Sequence, residues 1–210
     1  MRTPLTPLLL VLLALAIPSP SWAQIDKSVA LGGGIGFYFP FDDDARSGVG
    51  PSLAYRFGKP ERWRPMVAFN WFATTFDGNV GETRVELGDL RIRPVMGGYG
   101  YTVKRGPLAA TFSAVGGIAF NSFDPTGNAR VAYAESADRV LLDITASNTP
   151  AARTEVALWY DLNTRIGILV AFGYIVTRPE IDIVTDVGTE TRRLKADALK
   201  LQFGVAYGIF

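Results

Sequence analysis

The side chains able to do chemistry are defined first by two absences, since the sequence contains neither histidine nor cysteine. Acid–base and nucleophilic catalysis draw on imidazole and thiolate because those groups ionise near neutral pH. Serine would need another base, and neither Ser-x-x-Lys nor Gly-x-Ser-x-Gly occurs. A zinc site would have carboxylates alone, so no catalytic metal and no cofactor are expected. The run Asp42, Asp43, Asp44 could collect a divalent cation, but consecutive acids in a turn-rich stretch read better as a solvated loop. Gly32 to Gly36 has the composition of a nucleotide-binding glycine loop without the helix that must follow it.

Seven charges, Arg56, Asp89, Arg91, Arg93, Glu155, Asp161 and Lys200, fall within segments that alternate between apolar and polar or small residues. Strand side chains point alternately to two faces, so all seven are expected on the less apolar face, directed into a closed interior. Buried there they need partners of opposite sign. The favoured reading is an ion-pair network filling the interior; the sharper alternative is a pathway or binding site for a charged solute. Glu155 and Asp161 share a face but stand too far apart for a carboxylate dyad.

The elements that must position these charges repeat with a period of two. In the closing stretch Leu199, Leu201, Phe203, Val205, Tyr207 and Ile209 alternate with polar or small residues. The same holds for Ser28 to Phe39, whose second face carries Gly32, Gly34 and Gly36, and for Val49 to Phe57, Arg64 to about Phe76, Leu108 to Asn121, Thr154 to Leu162 and Ile166 to Val176. From Val85 to Val103 the pattern is less regular. Leu90, Ile92, Pro94 and Met96 share one face, read as the outward one, and Tyr99 and Tyr101 have the opposite parity, so a β-bulge is expected at Gly97-Gly98. Residues 122 to 152 lose the alternation and read as the longest loop, with a short helix or an extra hairpin open within 130 to 144; a second long loop is expected from Pro179 to Arg193.

About eight strands joined alternately by short turns and long loops is the pattern of an antiparallel up-and-down transmembrane β-barrel. Strands of about 9–11 residues suffice to cross a bilayer when tilted. Outward aromatics are expected in two belts: Tyr55, Phe57, Tyr160 and Tyr207 at the short-turn end, Phe37, Phe39, Trp71, Phe120 and Tyr174 at the long-loop end. A soluble sandwich would also alternate, but its second face should be richly charged rather than dominated by Gly, Ala, Ser, Thr and Asn. Met1 to Ala23 has the positive start, short apolar run and small residues of a cleaved secretory signal peptide, leaving residues 24 to 210 as one barrel domain exported by a Sec-type route. The balance of 21 basic against 20 acidic residues argues against nucleic acid as a partner; the oligomeric state stays open.

The chain resembles the small outer-membrane β-barrel proteins of the OmpW-like, OmpX-like or OmpA-transmembrane kind, in pattern over the whole mature part. The sharpest match is the C-terminal insertion signal of such proteins, met by Gln202, Gly204, Tyr207 and Ile209, with Phe210 as an extra residue. The resemblance implies a Gram-negative outer membrane, contact with its lipids and lipopolysaccharide, and recognition by the outer-membrane assembly machinery. It also admits lipid-modifying barrel enzymes, which rely on a histidine that this chain lacks. The favoured function is a non-enzymatic barrel acting structurally or through its loops. The alternative is a narrow conduit or binding barrel for small solutes, hydrophobic ones included; a general-diffusion porin is disfavoured because side chains can fill an interior of this size.

Overall fold

Alternating chemistry produces long strands, and the computed structural model shows them closing on one another. It describes residues 29–57, 62–136, 139–163 and 165–209; the expected signal peptide, most of the turn after Phe57, and Phe210 lie outside these. The wall is built from β1 (Val29–Pro40), β2 (Gly48–Phe57), β3 (Trp63–Asn70), β4 (Phe72–Val80), β5 (Thr83–Arg105) and β6 (Leu108–Pro125). After a helix, α1 (Gly127–Ser136), and a short strand, β7 (Leu141–Ala146), come β8 (Thr149–Asp161), β9 (Ile166–Thr177), β10 (Glu180–Thr185), β11 (Gly188–Arg193) and β12 (Ala198–Gly208).

Nine strands form one antiparallel sheet in the order β3-β2-β1-β12-β9-β8-β6-β5-β4, and a further β3–β5 pairing closes it into a ring. β3 and β4 run end to end along β5, interrupted at Trp71, so the wall has eight strand positions. Closure pairs both sides of β3, whereas β4 is laddered to β5 alone and its other side meets the β1–β2 connection through the Arg46 and Asp77 amides, which donate to the Thr75 and Asp44 carbonyls. The seam expected between the last and first strands is present, with Gly34 opposite Gly204 and Phe37 opposite Leu201. Glycine is required there, because a Cβ on Gly34 would run into the Phe203 carbonyl oxygen.

The outward face carries the apolar alternation. In β9, Ile166, Ile168, Val170, Phe172 and Tyr174 are exposed while Leu169, Ala171 and Ile175 are buried. An exposed apolar surface of this extent is what a bilayer selects. Phe37, Phe39, Trp71, Phe120 and Tyr174 are exposed at the long-loop end, and Tyr160 and Tyr207 at the short-turn end. Inside, the β1 glycines make room for large side chains: a Cβ on Gly32 would lie 2.9 Å from Trp159 of β8, and one on Gly36 3.0 Å from Tyr38 of β1 itself.

β5 departs from expectation. Leu90, Ile92 and Met96 are fully buried and point inward, whereas Asp89 and Arg91 are exposed and Arg93 is half-buried on the outer face. The expected bulge at Gly97-Gly98 is absent: β5 pairs with β6 in unbroken register through Gly97↔Gly116 and Gly98↔Val115. The ladder instead shifts nearer its tip, between Phe76↔Gly88 and Asp77↔Glu86, where Leu87 is the extra residue. The strand keeps its parity; its surroundings change along its length.

Beyond the wall, both long segments expected as loops are folded. Residues 122–152 contain both a helix and a strand, and 179–193 form the β10–β11 hairpin, which joins β7 in a three-stranded sheet ordered β11-β10-β7. Thr126 caps α1, accepting a hydrogen bond from the Ala129 amide at 3.2 Å. α1 and this sheet lie over the β4–β5 hairpin and share one buried apolar cluster with it, including Phe76, Leu87, Tyr133, Ile144 and Ile183.

Candidate functional site

The polar positions of four strands converge inside the barrel at mid-depth. Lys200 on β12 donates to Glu155 Oε2 of β8 at 2.7 Å and to Gln202 Oε1 at 2.6 Å. Arg153 places Nη2 3.5 Å from Glu155 Oε1 and donates through Nη1 to Asn70 Oδ1 of β3 at 3.0 Å. The Ser52 hydroxyl of β2 stands 2.9 Å from Asn70 Oδ1 and 2.8 Å from Gln202 Oε1, so its single proton serves one acceptor at a time. All six residues are buried. β2 and β8 are four places apart in the eight-place ring, so this chain of contacts spans the full lumen.

Strand parity explains the convergence. Arg153 and Glu155 are two residues apart on β8, and Lys200 and Gln202 two apart on β12, so each pair shares the inward face. Two cations face one carboxylate, and the amide oxygens of Gln202 and Asn70 take up the excess positive charge. The charges are compensated by one another, although Arg153 Nε and Nη2 and Asn70 Nδ2 are buried without a hydrogen-bond acceptor; removing any charged partner leaves another uncompensated.

Tyr38, opposite Lys200 in the β1–β12 ladder, borders this layer and stacks on Phe72 with ring centroids 3.9 Å apart and planes 9° apart; from there towards the long loops the interior turns apolar, with Ile92, Leu90 and Ile175. Below it, Trp159 packs with Leu169, Ala171 and Ala206, and Lys104 pairs with Asp161 at 3.0 Å. At the loop rim Arg178 donates to Asp197 Oδ2 through Nε at 3.2 Å and Nη2 at 3.0 Å. These hydrogen bonds, and then the carboxylate's charge, raise the Arg178 pKa above its ordinary value.

Of the seven charges expected inside, Glu155 and Lys200 meet in the central layer and Asp161 lies nearer the turn end. The Arg56 backbone pairs with Ala30 and Met66, both inward-facing, while its side chain lies outside the described residues. Asp89, Arg91 and Arg93 do not belong to the layer; they stand on the outer face of β5, where Arg91 pairs with Asp124 at 2.6 Å and Arg93 lies over Trp71. Leu90, Ile92 and Met96 occupy the inward positions because the upper interior is apolar. Sequence reasoning left Arg153, Arg64, Ser52 and Asn70 out of the buried polar set, together with the half-buried Lys104. Arg153 needed only one more step of the β8 alternation, since it precedes Glu155 by two. Gln202, Tyr207 and Ile209 keep the expected alternation, with Gln202 buried and the other two exposed.

Among solved structures, the outer membrane protein OprG from Pseudomonas aeruginosa superposes with a TM-score of 0.69 over 88% of this chain and 97% of that one, at 14% sequence identity. The fold is that of the small outer-membrane β-barrels. Neisserial surface protein A matches with a TM-score of 0.52 at 10% identity, covering 87% of this chain and 97% of its own. The outer membrane protein AlkL, solved in lipid bilayers, matches at 0.50 and 13% identity over 91% of this chain and 94% of its own. No protein-family model matches the sequence, and no curated protein does. At these identities the likeness is one of architecture, carried by strand alternation and closure rather than by shared site residues.

Proposed function

We propose that the chain is a non-enzymatic barrel of a Gram-negative outer membrane, closed to solutes along its lumen, that acts through the folded cap at its long-loop end. The observation that carries this reading is the layer Arg153–Glu155–Lys200–Gln202–Ser52–Asn70, which bridges opposite walls by side-chain contacts. Each ionised group in it is engaged by another, which suits a seal better than a catalytic site needing a free acid or base. Export and insertion orient the short turns to the periplasm and the cap, with its α1 helix and β7–β10–β11 sheet, to the exterior. The closing strand would carry the signal read by the assembly machinery through Gln202, Gly204, Tyr207 and Ile209, with Phe210 after them.

Uptake by liposomes containing the refolded protein tests the seal. Uptake of a small sugar or amino acid should match protein-free liposomes, and faster uptake would overturn the reading. Lipid A from cells with and without the protein should give the same mass spectrum; a changed acylation pattern would establish an enzyme instead.

The second reading, binding of a small apolar solute, is favoured by the apolar upper interior around Tyr38, Phe72 and Ile92. Its test is quenching of intrinsic fluorescence by an aliphatic probe, expected to weaken when Phe72→Ser makes that region polar.

A further inference from the structure

The outer wall carries a membrane-facing recess of about 220 Å³ where the strand pairing lapses. β3 ends at Asn70 and β4 begins at Phe72, while β5 pairing passes from Phe69↔Val95 to Phe72↔Ile92. The residues opposite the gap are Pro94, which has no N–H to donate, and Arg93. The Trp71 amide turns the other way and donates to the Pro51 carbonyl at 3.0 Å. Pro51, Leu53, Phe69 and Val95 line the recess, with Trp71 and Arg93 at its end nearer the long loops.

Arg93 contrasts with five arginines around that end that stand against carboxylates. Arg46 pairs with Asp77 and Glu86, Arg84 with Asp44, Arg91 with Asp124, Arg178 with Asp197 and Arg193 with Glu180. Among the described residues Arg93 has no carboxylate partner. Its guanidinium lies 5.2 Å from the centre of the Trp71 ring, and its Nε is buried without a hydrogen-bond acceptor.

Depth decides what could supply the missing acceptor. Along the outer face of β5, Val103, Tyr99 and Val95 are exposed and apolar, and Arg93 is the first charge reached. Ten residues separate Val103 from Arg93; at about 3.3 Å of rise per residue and a tilt of about 40°, that is about 25 Å along the membrane normal, the height of a barrel's apolar band. Arg93 thus sits at the outer boundary, where acyl chains give way to headgroups. The Arg91–Asp124 pair lies one step beyond, in the polar zone.

We propose that this recess is a lipid-binding site for lipopolysaccharide, with an acyl chain along the Pro51–Leu53–Phe69–Val95 surface and a lipid A phosphate on the Arg93 guanidinium. A guanidinium offers phosphate a planar pair of donors, and the Trp71 face keeps it at the interface. Phosphate is the anionic group that a lipid chain in the recess delivers at that height, and it satisfies a cation that has no carboxylate partner among the described residues. The site lies outside the lumen and does not depend on whether the lumen is sealed.

The test is native mass spectrometry of the folded, detergent-solubilised protein titrated with diphosphoryl lipid A, enzymatically dephosphorylated lipid A, phosphatidylglycerol or inorganic phosphate. Diphosphoryl lipid A should be retained at least tenfold better than its dephosphorylated form or phosphatidylglycerol, and inorganic phosphate alone should not be retained. Arg93→Gln should abolish that preference, Arg93→Lys should keep part of it, and Arg91→Ala should leave it unchanged. Heat-modifiable gel mobility confirms that each variant is folded, and the dephosphorylated arm tests the same contact in the unaltered protein. Equal retention with and without phosphate, equal retention of phosphatidylglycerol, or an undiminished preference in Arg93→Gln would overturn the assignment.

Discussion

The middle and upper parts of the barrel interior solve the same packing problem with opposite chemistry. At mid-depth the inward positions are Arg153, Glu155, Lys200, Gln202, Asn70 and Ser52, closed by hydrogen bonds and ion pairs. Towards the long loops, starting from Tyr38 at the edge of that layer, they are Phe72, Leu90, Ile92 and Ile175, which pack as one apolar cluster. The outer face inverts in step: beside the middle layer it is apolar, meeting lipid, and beyond Val95 it becomes Arg93, Arg91 and Asp89. A strand crossing this boundary exchanges the chemistry of its two faces without changing parity. That exchange imitates the signature of a β-bulge, which is why the Gly97-Gly98 region looks irregular in sequence and is regular in structure.

The sharpest way to break the comparison is to unbalance the polar half. Glu155→Ala leaves Lys200 and Arg153 facing each other without a carboxylate and should destabilise the barrel by about 3–5 kcal/mol, read from the urea midpoint of unfolding in detergent or lipid. It should also increase solute uptake by liposomes if the layer is the seal. In the apolar half Phe72→Ala removes the ring stacked on Tyr38 and should cost about 3 kcal/mol, with no increase in uptake, because a cavity there lies above an intact seal. A loss matching that of Glu155→Ala, accompanied by leakage, would show that the upper half closes the lumen instead.

Smaller effects test the fit between wall and contents. Gly32→Val drives a branched side chain into Trp159 and should cost about 1–3 kcal/mol on the same unfolding scale. At the cap, Arg193→Ala breaks an exposed pair with Glu180 and should change stability by less than about 1 kcal/mol.

The wall strands, their closure through β1 and β12, and the inward placement of Glu155, Asp161 and Lys200 were legible in sequence, because lipid outside and small or polar residues inside leave a period of two. The β4–β5 hairpin was misread on the assumption that apolar residues face lipid throughout. That assumption fails above the bilayer, where Leu90 and Ile92 bury themselves beneath the cap. The cap itself was illegible for a related reason: β7 pairs with β10, almost forty residues later, and neither strand's alternation identifies its partner.

By itself the sequence determined the class of solvent around the molecule and the two faces of most strands, since those follow from side-chain polarity at fixed spacing. Tertiary structure decided which charges meet, where the apolar interior begins, and that Arg93 stands at a gap in the wall with no carboxylate partner among the described residues. Those outcomes depend on ring closure, which brings β8 across from β2 and sets Pro94 opposite the Trp71 break, and no local spacing encodes distances between segments so far apart in the chain.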